Sequence, residues 1–307
     1  MVQENNLKDV IVICGPTASG KTKLAVELAK RLNTEIISAD ALYIYKKLNI
    51  GTAKPDIIEM DGVKHHLIDV IEPTEEFSVS DFERLATPII KRLHSEGKVP
   101  IICGGTGFYI NSLLFDLSYG KVAQNQEIRS KYEHLAQEFG NGYVHKILEE
   151  IDPVSAKEIH ENNVKRVIRA IEIYEVSGTR KSDINDDNCK KYNYHAYAID
   201  YPRELLNERI NKRVDIMLNN GLIEEVTSLL NYGLKRNNQS MQGIGYKEVF
   251  DYLDGKIDRN ELSELIKLNT RHYAKRQITF FKRLEGLKYI DYTVKDKADY
   301  IINDVKL

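Results

Sequence analysis

The chain has 307 residues, of which 42% are apolar and 29% are charged, and its formal net charge is -2. This composition excludes a disordered chain, and the near-neutral charge excludes a protein that is basic overall, so any basic surface must be local. Three widely spaced cysteines exclude a disulfide framework and favour a reducing cytoplasm, and no apolar run is long enough to span a bilayer. We therefore expect a cytoplasmic globular protein with no membrane partner.

The N-terminal part of the chain alternates predicted strands and helices. Short apolar runs predict buried strands, and apolar residues at helical spacing predict the helices between them. The strands are predicted at 10–14, 34–38, 66–71 and 99–103, and the helices begin near 24, 79 and 106. Strands that alternate with helices favour an α/β fold, in which a parallel sheet carries helices on both faces.

The middle of the chain has a different character. Residues 116–191 contain no convincing buried strand, and an amphipathic stretch runs from Val164 to Tyr174. We interpret this segment as an all-helical insertion domain, which leaves 1–115 and 192–307 as the core domain. In the second part of the core, a returning strand is predicted at 194–199 and helices are predicted at 204–218, 223–230, 246–253 and 261–284.

The most specific motif lies between the first strand and the first helix and reads Gly15-Pro16-Thr17-Ala18-Ser19-Gly20-Lys21-Thr22. It matches the pattern G-x-x-x-x-G-K-[ST], in which backbone N–H groups and a helix N-terminus hold phosphate oxygens. Lys21 is predicted to reach the outer phosphate, and the Thr22 hydroxyl is a typical ligand of Mg²⁺. The motif predicts a phosphate-binding site and a P-loop NTPase-like fold.

The P-loop motif is not accompanied by the magnesium-binding aspartate that usually occurs with it. P-loop NTPases commonly have an apolar strand that ends in an aspartate, which helps to hold magnesium. Here the strand 99–103 ends in Gly104-Gly105, and Asp69 follows only a very short apolar run. This pattern disfavours ordinary hydrolysis of ATP or GTP.

Asp40 and Thr106 are the candidate catalytic side chains at the edge of the sheet where ligands bind. Asp40 is expected at the end of the second strand, beside the P-loop, where a carboxylate can accept a proton from a nucleophile or help to hold magnesium. The alternative is a capping or turn aspartate. Thr106 begins a helix at the same edge, so a substrate contact there competes with a simple N-cap.

Basic residues cluster on two predicted helices. They are Lys165, Arg166 and Arg169 on the insertion helix, and Arg271, Lys275 and Lys282 along one face of the last long helix. No acidic residue occurs between Arg271 and Arg283, which favours contact with phosphate or nucleic acid. A solvated helix face is the alternative.

Together these motifs resemble the tRNA dimethylallyltransferase family, also called tRNA isopentenyltransferases, along nearly the whole chain. The matching segments are Gly15–Thr22, Ile37–Asp40, Ile50–Pro55, His65–Asp69, Gly104–Tyr109, Lys165–Arg169, Ile244–Lys247 and Tyr273–Gln277. The P-loop alone is unspecific, whereas the ordered set is highly specific.

The resemblance implies transfer of a dimethylallyl group from dimethylallyl diphosphate to the exocyclic N6 amine of adenosine at tRNA position 37. It implies that the P-loop with Lys21 and Mg²⁺ stabilises the diphosphate leaving group, and that Arg213, and less surely Arg209, contacts it. By the same resemblance, Asp40 is the general base and Thr106 orients the amine of a base that has flipped out of its stack.

The implied partners are dimethylallyl diphosphate and the anticodon stem-loop of tRNA, and we predict a monomer. The residues implied in tRNA contact are Asp40, Ala41, Leu42, Tyr43, Thr106, Arg129, Lys165, Arg166, Val167, Ile168, Arg169, Arg271 and Lys275. The chain departs from the family at Ala41 and Tyr43, where a serine and a glutamine are common. The hydrogen bonds that read the target base or its neighbour are altered there, and Tyr43 is a candidate for stacking instead.

Two other classes of protein stay open. A P-loop small-molecule kinase would share the fold, Lys21 and an aspartate at position 40, and Arg166 or Arg169 would serve as lid arginines. It predicts ATP turnover with a small acceptor and no affinity for tRNA. A tRNA-binding regulator with a vestigial P-loop predicts binding without transfer.

Overall fold

The computed structural model describes residues 7–116, 122, 124–184 and 189–306. The chain divides into two compact units, a core unit of Met1–Leu114 with Lys191–Leu307 and an insertion unit of Phe115–Lys190. Within the described ranges, no helix combines the length and the apolar character that crossing a bilayer requires.

A parallel sheet runs through the core unit. The described residues form six strands in the spatial order β3-β2-β4-β1-β5-β6, and all neighbours pair in parallel. The strands are β1 (Asp9–Cys14), β2 (Ile36–Ser38), β3 (His65–His66), β4 (Ile101–Gly104), β5 (Asn193–Asp200) and β6 (Lys288–Asp291). Because the strands are parallel, their carboxyl ends share one edge of the sheet, where ligands bind in such folds.

Helices make up most of the remaining structure. In chain order they are α1 (Lys21–Arg31), α2 (Ile57–Met60), α3 (Val79–Ser95), α4 (Gly107–Leu114), α5 (Gln126–Phe139), α6 (Asn141–Ile151), α7 (Pro153–Glu158), α8 (Val164–Ser177), α9 (Arg203–Asn219), α10 (Leu222–Asn231), α11 (Tyr246–Leu253), α12 (Arg259–Phe281) and α13 (Lys297–Val305). Helices α5 to α8 belong to the insertion unit, and the others belong to the core unit.

The hydrophobic core of the core unit is built around β1. Residues Val10–Cys14 have no exposed surface, so this strand is covered on both faces, as its unbroken apolar run predicts. On one face, Ile11 and Ile13 pack with residues of α1 and α13. The predicted α/β fold with a parallel sheet is confirmed.

The sheet differs from the prediction in two respects, and its strand order, in which β4 lies between β2 and β1, was not predicted. The third strand covers only His65–His66 instead of 66–71. Strand β6 was not predicted, because Ile290 is its single buried residue and no apolar run marks it.

The insertion unit is helical in its described part. Its core brings together Tyr132 of α5, Val144 and Leu148 of α6, and Val167 and Ile171 of α8. The sequence predicted one clear amphipathic helix, whereas the described residues form four. The other three helices were not predicted individually, because each contributes only one or two buried residues and so has a weak periodic pattern.

Candidate active site

The loop between β1 and α1 contains three residues with positive φ. Gly15 (φ +127°) and Gly20 (φ +83°) adopt conformations that glycine tolerates best, and Ala18 adopts φ +61°. The conformation of Ala18 is strained for a residue with a side chain, and such strain is typical of ligand-binding sites. Lys21 begins α1 directly after the loop. The unpaired N–H groups of the first helical turn therefore lie beside the loop, where they can bind an anion.

The side chain of Lys21 folds back onto the loop. Its Nζ atom donates a hydrogen bond to the Pro16 carbonyl oxygen at 2.5 Å. Burial lowers the pKa of Lys21, and the charge of Arg213 lowers it further, while Cys103 and Asp40 act in the opposite direction. A cation that burial partly deprives of water gains from an anionic ligand, so this arrangement suits phosphate groups.

Ser19 places an unsatisfied hydroxyl in the same loop. The residue has no exposed surface, and its Oγ atom has no hydrogen-bond partner. Leaving a buried polar group unpaired costs about 1–3 kcal/mol, and such groups call for an explanation. A phosphate oxygen would provide the missing partner.

Two loops at the carboxyl edge of the sheet are joined through Asp40 and Thr106. The Thr106 Oγ1 atom accepts a hydrogen bond from Ala41 N at 3.0 Å, and Thr106 N donates to the Ala39 carbonyl at 3.1 Å. Asp40 Oδ1 accepts from Leu42 N at 3.0 Å. The structure thus brings the two predicted catalytic residues together, because β2, which precedes Asp40, lies next to β4, which precedes Thr106.

Burial raises the pKa of Asp40. Its hydrogen bond from Leu42 and the positive charges of Lys21 and Arg213 oppose this rise without cancelling it. Both cations are therefore close enough to Asp40 to affect its ionisation. A carboxylate with a raised pKa is a stronger base, as proton abstraction from a nucleophile requires.

The end of β4 requires glycine at two positions. A Cβ atom on Gly104 would lie 2.0 Å from the Ala39 carbonyl oxygen, and a Cβ atom on Gly105 would lie 2.2 Å from Gln277 Nε2. A side chain at position 104 would force apart the segments that carry Asp40 and Thr106, and one at position 105 would displace the Gln277 amide. The magnesium aspartate that many P-loop proteins have is thus replaced here by close backbone packing.

Arg213 is held by the loop that follows β2. Its Nη2 atom donates to the Thr52 carbonyl at 2.9 Å and lies 3.4 Å from the Ala53 carbonyl. The Tyr43 hydroxyl also donates to the Ala53 carbonyl, at 3.0 Å. The predicted diphosphate arginine and the unusual tyrosine at position 43 therefore share one anchoring segment.

Glu225 holds that segment in turn. Its Oε2 atom accepts hydrogen bonds from Asn49 N at 2.9 Å and Ile50 N at 2.8 Å. Its Oε1 atom accepts from Gly51 N at 3.0 Å and from the Tyr246 hydroxyl at 2.7 Å. Sequence reasoning missed Glu225, because a glutamate in an amphipathic helix gives no local signal of such a role.

Arg209 contacts the P-loop directly. Its Nε atom donates to the Ala18 carbonyl at 2.8 Å, and its guanidinium lies 4.9 Å from the centre of the Tyr201 ring. The sequence indicated Arg209 less surely than Arg213 as a diphosphate ligand. The structure gives Arg209 a fixed position on the loop itself.

Helix α12 contributes Tyr273 and Gln277 to the site. Gln277 Oε1 accepts a hydrogen bond from Thr17 N at 2.9 Å, and Gln277 Nε2 donates to the Gly105 carbonyl at 2.9 Å. Burial raises the pKa of Tyr273, and the neighbouring Thr106 and Gln277 side chains oppose part of this rise. Sequence reasoning placed both residues in a family motif but assigned neither a role.

The basic residues of α12 differ in their surroundings. Arg271 is half-buried and its Nη1 atom donates to Asn211 Oδ1 at 2.7 Å, whereas Lys275 is exposed. Lys275 is thus the more accessible of the two for a phosphate group.

The predicted tRNA-contact segment on α8 has to be narrowed. Val167 and Ile168 are buried in the core of the insertion unit, so their side chains offer no surface to RNA. Lys165 and Arg166 are exposed. The correction follows from helical geometry, because five consecutive residues cannot all face solvent on an amphipathic helix.

Arg129 and Arg169 have a structural partner in the insertion unit. Glu172 has no exposed surface, and its carboxylate accepts hydrogen bonds from Arg129 Nε at 2.9 Å and Arg169 Nη1 at 2.6 Å. Burial alone would raise the pKa of Glu172, but the hydrogen bonds from the two arginines lower it. Both arginines therefore serve the fold of this unit, which the sequence did not predict.

Asp69, weighed as a substitute for the magnesium aspartate, lies far from the P-loop strand in the sheet. It follows the edge strand β3, and its Oδ1 atom accepts from Lys54 Nζ at 2.6 Å. Its carboxylate is thus used in an ion pair, and β2 and β4 separate its strand from β1.

The fold and the site together define a P-loop α/β protein in which a basic carboxylate and a hydroxyl stand beside a phosphate-binding loop. The family model described as IPP transferase matches residues 43–284. The chain belongs to the IPP transferase family.

Curated relatives align over almost the full chain. A protein named tRNA dimethylallyltransferase from Acetivibrio thermocellus is 48% identical over 303 residues, which are 98% of this chain and 97% of the relative. A protein of the same name from Caldanaerobacter subterraneus is 46% identical over 302 residues, which are 95% of this chain and 93% of the relative. The predicted family resemblance is confirmed.

Solved structures support the same family. The tRNA isopentenylpyrophosphate transferase of Bacillus halodurans matches with a TM-score of 0.72 at 42% identity, covering 97% of this chain and 95% of its own. A eukaryotic dimethylallyltransferase, described as acting on tRNA, matches with a TM-score of 0.82 at 28% identity, covering 97% of this chain and 77% of its own. These matches confirm the predicted P-loop NTPase-like fold.

Proposed function

We propose that the chain transfers a dimethylallyl group from dimethylallyl diphosphate to the exocyclic N6 amine of adenosine at tRNA position 37. The product is N6-dimethylallyladenosine in tRNA, and diphosphate is released. Family membership and the names of the relatives support this reaction. The observation that carries the proposal is the position of Asp40, which lies near the P-loop lysine and whose loop is joined to Thr106 by the hydrogen bond from Ala41 N to Thr106 Oγ1 at 3.0 Å.

The P-loop would bind the diphosphate of the donor. Lys21, Arg209 and Arg213 would face its oxygens, and the unpaired Ser19 hydroxyl would donate to one of them. When the bond between the allylic carbon and the diphosphate oxygen breaks, the electron pair leaves with the diphosphate. Cations and N–H donors that are already in place stabilise this growing charge.

Thr22 is the residue that would hold Mg²⁺. Among the described residues, no group of three or more His, Cys, Asp or Glu side chains is suited to a metal ion. Magnesium usually retains several waters and takes few protein ligands beside phosphate oxygens, and the half-buried Thr22 at the start of α1 fits that pattern. When bound, the ion would supply further positive charge to the leaving group.

Asp40 would act as the general base. The N6 nitrogen attacks the allylic carbon, a carbon–nitrogen bond forms, and the proton that the amine loses goes to the Asp40 carboxylate. The Thr106 hydroxyl would orient the amine. Since the amine of a stacked base cannot reach this site, the adenosine would flip out of the anticodon loop.

The tRNA would be held mainly through its phosphates. On the insertion unit the exposed Lys165 and Arg166 would contact it, and on α12 Lys275 and Arg271 would do so. Such contacts position a nucleic acid without reading its sequence. The selection of position 37 is therefore left to the site around Asp40 and Thr106.

We also infer that the protein works in the cytoplasm as a monomer. Cys14, Cys103 and Cys189 are free thiols, which are typical of a reducing compartment.

The direct test is transfer of radiolabel from dimethylallyl diphosphate to tRNA isolated from a strain that lacks the modification. The wild-type protein should label tRNAs with adenosine at position 37, and Asp40→Ala should abolish labelling while donor binding persists. Unlabelled tRNA would contradict the proposal. Phosphorylation of a small acceptor by ATP would identify a kinase instead, and tRNA binding without transfer at any magnesium concentration would identify a regulator.

A further inference from the structure

One glutamine joins the donor side of the site to the acceptor side. Gln277 lies in α12 and is only 5% exposed. Its Oε1 atom accepts from Thr17 N in the P-loop at 2.9 Å, and its Nε2 atom donates to the Gly105 carbonyl at 2.9 Å. The two polar atoms of one amide thus engage one loop each.

The side-chain amide of Gln277 packs directly against the backbone of Gly105. A Cβ atom at this position would lie 2.2 Å from Gln277 Nε2, so any larger residue would displace the amide. An amide both donates and accepts, whereas a carboxylate only accepts and a thioether does neither well. Glutamine is therefore specifically suited to link these two loops.

The linkage continues to the groups that would act on the adenosine. Thr106 is the residue after Gly105, and its hydroxyl accepts from Ala41 N at 3.0 Å. Tyr273 lies one helical turn before Gln277 on α12, close enough to Thr106 for that side chain to affect its pKa. The placement of Thr106 relative to the P-loop therefore depends on α12.

We propose that Gln277 is a positioning residue that sets the separation between the P-loop-bound diphosphate and the acceptor-orienting pair Asp40 and Thr106. The proposal rests on the proposed function. Gln277 acts through Thr17 and Gly105 and does not itself contact the reacting atoms. Its loss should therefore slow the transfer step more than it weakens the binding of either substrate.

The size of the effect follows from the geometry of group transfer. Misplacing a reacting group by about 1 Å costs up to about 100-fold in rate even when the change lies far from the chemistry. A glutamate at 277 would keep the acceptor for Thr17 but place an anionic oxygen against the Gly105 carbonyl. A methionine would fill the space without either hydrogen bond.

The experiment measures single-turnover transfer at saturating dimethylallyl diphosphate and tRNA, together with separate dissociation constants for each and the thermal unfolding midpoint. The variants are Gln277→Glu, Gln277→Met and Gly105→Ala. The control is Thr279→Ala on the same helix, because Thr279 is exposed and bonds only within α12 among the contacts described. We expect the three variants to slow transfer about 10- to 100-fold, with dissociation constants within about threefold of wild type, and the control to match wild type.

Wild-type rates in Gln277→Glu and Gln277→Met would overturn this inference and leave the proposed function standing. A rate loss that is explained by weaker donor binding, or that follows a large fall of the unfolding midpoint in all three variants, would also overturn it in favour of a merely structural role. A wild-type protein that transfers nothing would overturn the proposed function, and this inference with it.

Discussion

Burial makes the carboxylate of Asp40 a stronger base, but it also lowers the free energy of unfolding of the protein. Because burial raises its pKa above the ordinary value of 3.8, the folded protein holds this proton more tightly than the unfolded chain does. When the pH rises, the unfolded chain loses the proton first, so the free energy of unfolding falls. This loss of stability is fully present above the folded-state pKa of Asp40 and is absent below its unfolded-state pKa.

We expect Asp40→Asn to raise the unfolding midpoint at pH 7 and to reduce transfer at least about 100-fold, since general-base catalysis contributes about 10²- to 10⁴-fold. The neutral amide avoids the burial cost of the carboxylate. Calorimetry at pH 7 and near pH 4 checks this, because the gain should shrink as the wild-type carboxyl becomes protonated. A lower unfolding midpoint of the variant at pH 7 would contradict the assignment of Asp40 as a buried base with a raised pKa.

Local motifs allowed the sequence to indicate Lys21, Asp40 and Thr106. Each of them lies in or directly after the loop that follows a strand, where neighbouring residues form a recognisable motif. The roles of Gln277 and Glu225 were missed because their partners are distant in the chain; Gln277 and Thr17 are 260 positions apart. A lone Gln or Glu in a helix has no sequence pattern that predicts such contacts.

Helix α10 holds the loop that follows β2 and is not proposed to bind a ligand itself. Glu225 accepts hydrogen bonds from three consecutive backbone N–H groups, those of Asn49, Ile50 and Gly51. The same loop supplies the Thr52 carbonyl that holds Arg213. The helix therefore positions the arginine proposed to bind the diphosphate.

We expect Glu225→Gln to weaken binding of dimethylallyl diphosphate about tenfold. An amide would oppose N–H donors with an NH₂ group, and a hydrogen bond to a charged group contributes about 1.5–3 kcal/mol. Isothermal titration calorimetry with the donor alone measures the effect. The neighbouring Glu224→Gln is the matched control, since Glu224 is exposed. Equal affinities of the two variants would show that the loop does not depend on Glu225.

Helices α5 and α8 are joined by the buried ion pairs of Glu172. We expect Glu172→Gln to destabilise the insertion unit by about 3 kcal/mol, because removing one partner leaves charge uncompensated. The lowered pKa of Glu172 means that its stabilisation is present above the ordinary value of 4.5 and is lost as the pH falls through the folded-state pKa.

Hydrogen exchange of α5 and α8 amides at pH 7 measures this destabilisation. The exposed Glu133→Gln on α5 is the control and should exchange like wild type. Unchanged protection in Glu172→Gln would mean that Arg129 and Arg169 do not stabilise the unit through this carboxylate.

Elements with strong periodic patterns were predicted well, and those defined by tertiary contacts were not. The buried strand β1 has an unbroken apolar run, and the helices α3 and α8 have clear amphipathic patterns. The order of the strands in the sheet leaves no local pattern in the sequence and was not predicted. The exposed edge strand β6 has too few buried residues to be recognised.

For the molecule as a whole, a net charge of -2 has to be reconciled with binding to an RNA polyanion. Local basic sites resolve this, and the exposed Lys165 and Arg166 are the candidates on the insertion unit. Removing both should weaken tRNA binding and lower the slope of log affinity against log salt by about 2, roughly one for each phosphate contact.

Filter-binding or fluorescence titrations of tRNA over a range of salt concentrations measure that slope for Lys165→Ala with Arg166→Ala. Lys157→Ala is the control, because Lys157 is exposed on the same unit and belongs to no family motif. An unchanged slope in the double variant would remove these residues from the tRNA interface.

The central claim is the identity of the acceptor atom. The most direct measurement is mass spectrometry of nucleosides after reaction of an unmodified tRNA with dimethylallyl diphosphate, alongside the same tRNA with guanosine at position 37. We expect N6-dimethylallyladenosine from the first tRNA, none from the second, and none with Asp40→Asn. Modification of the tRNA that lacks adenosine 37, or full activity of Asp40→Asn, would contradict it.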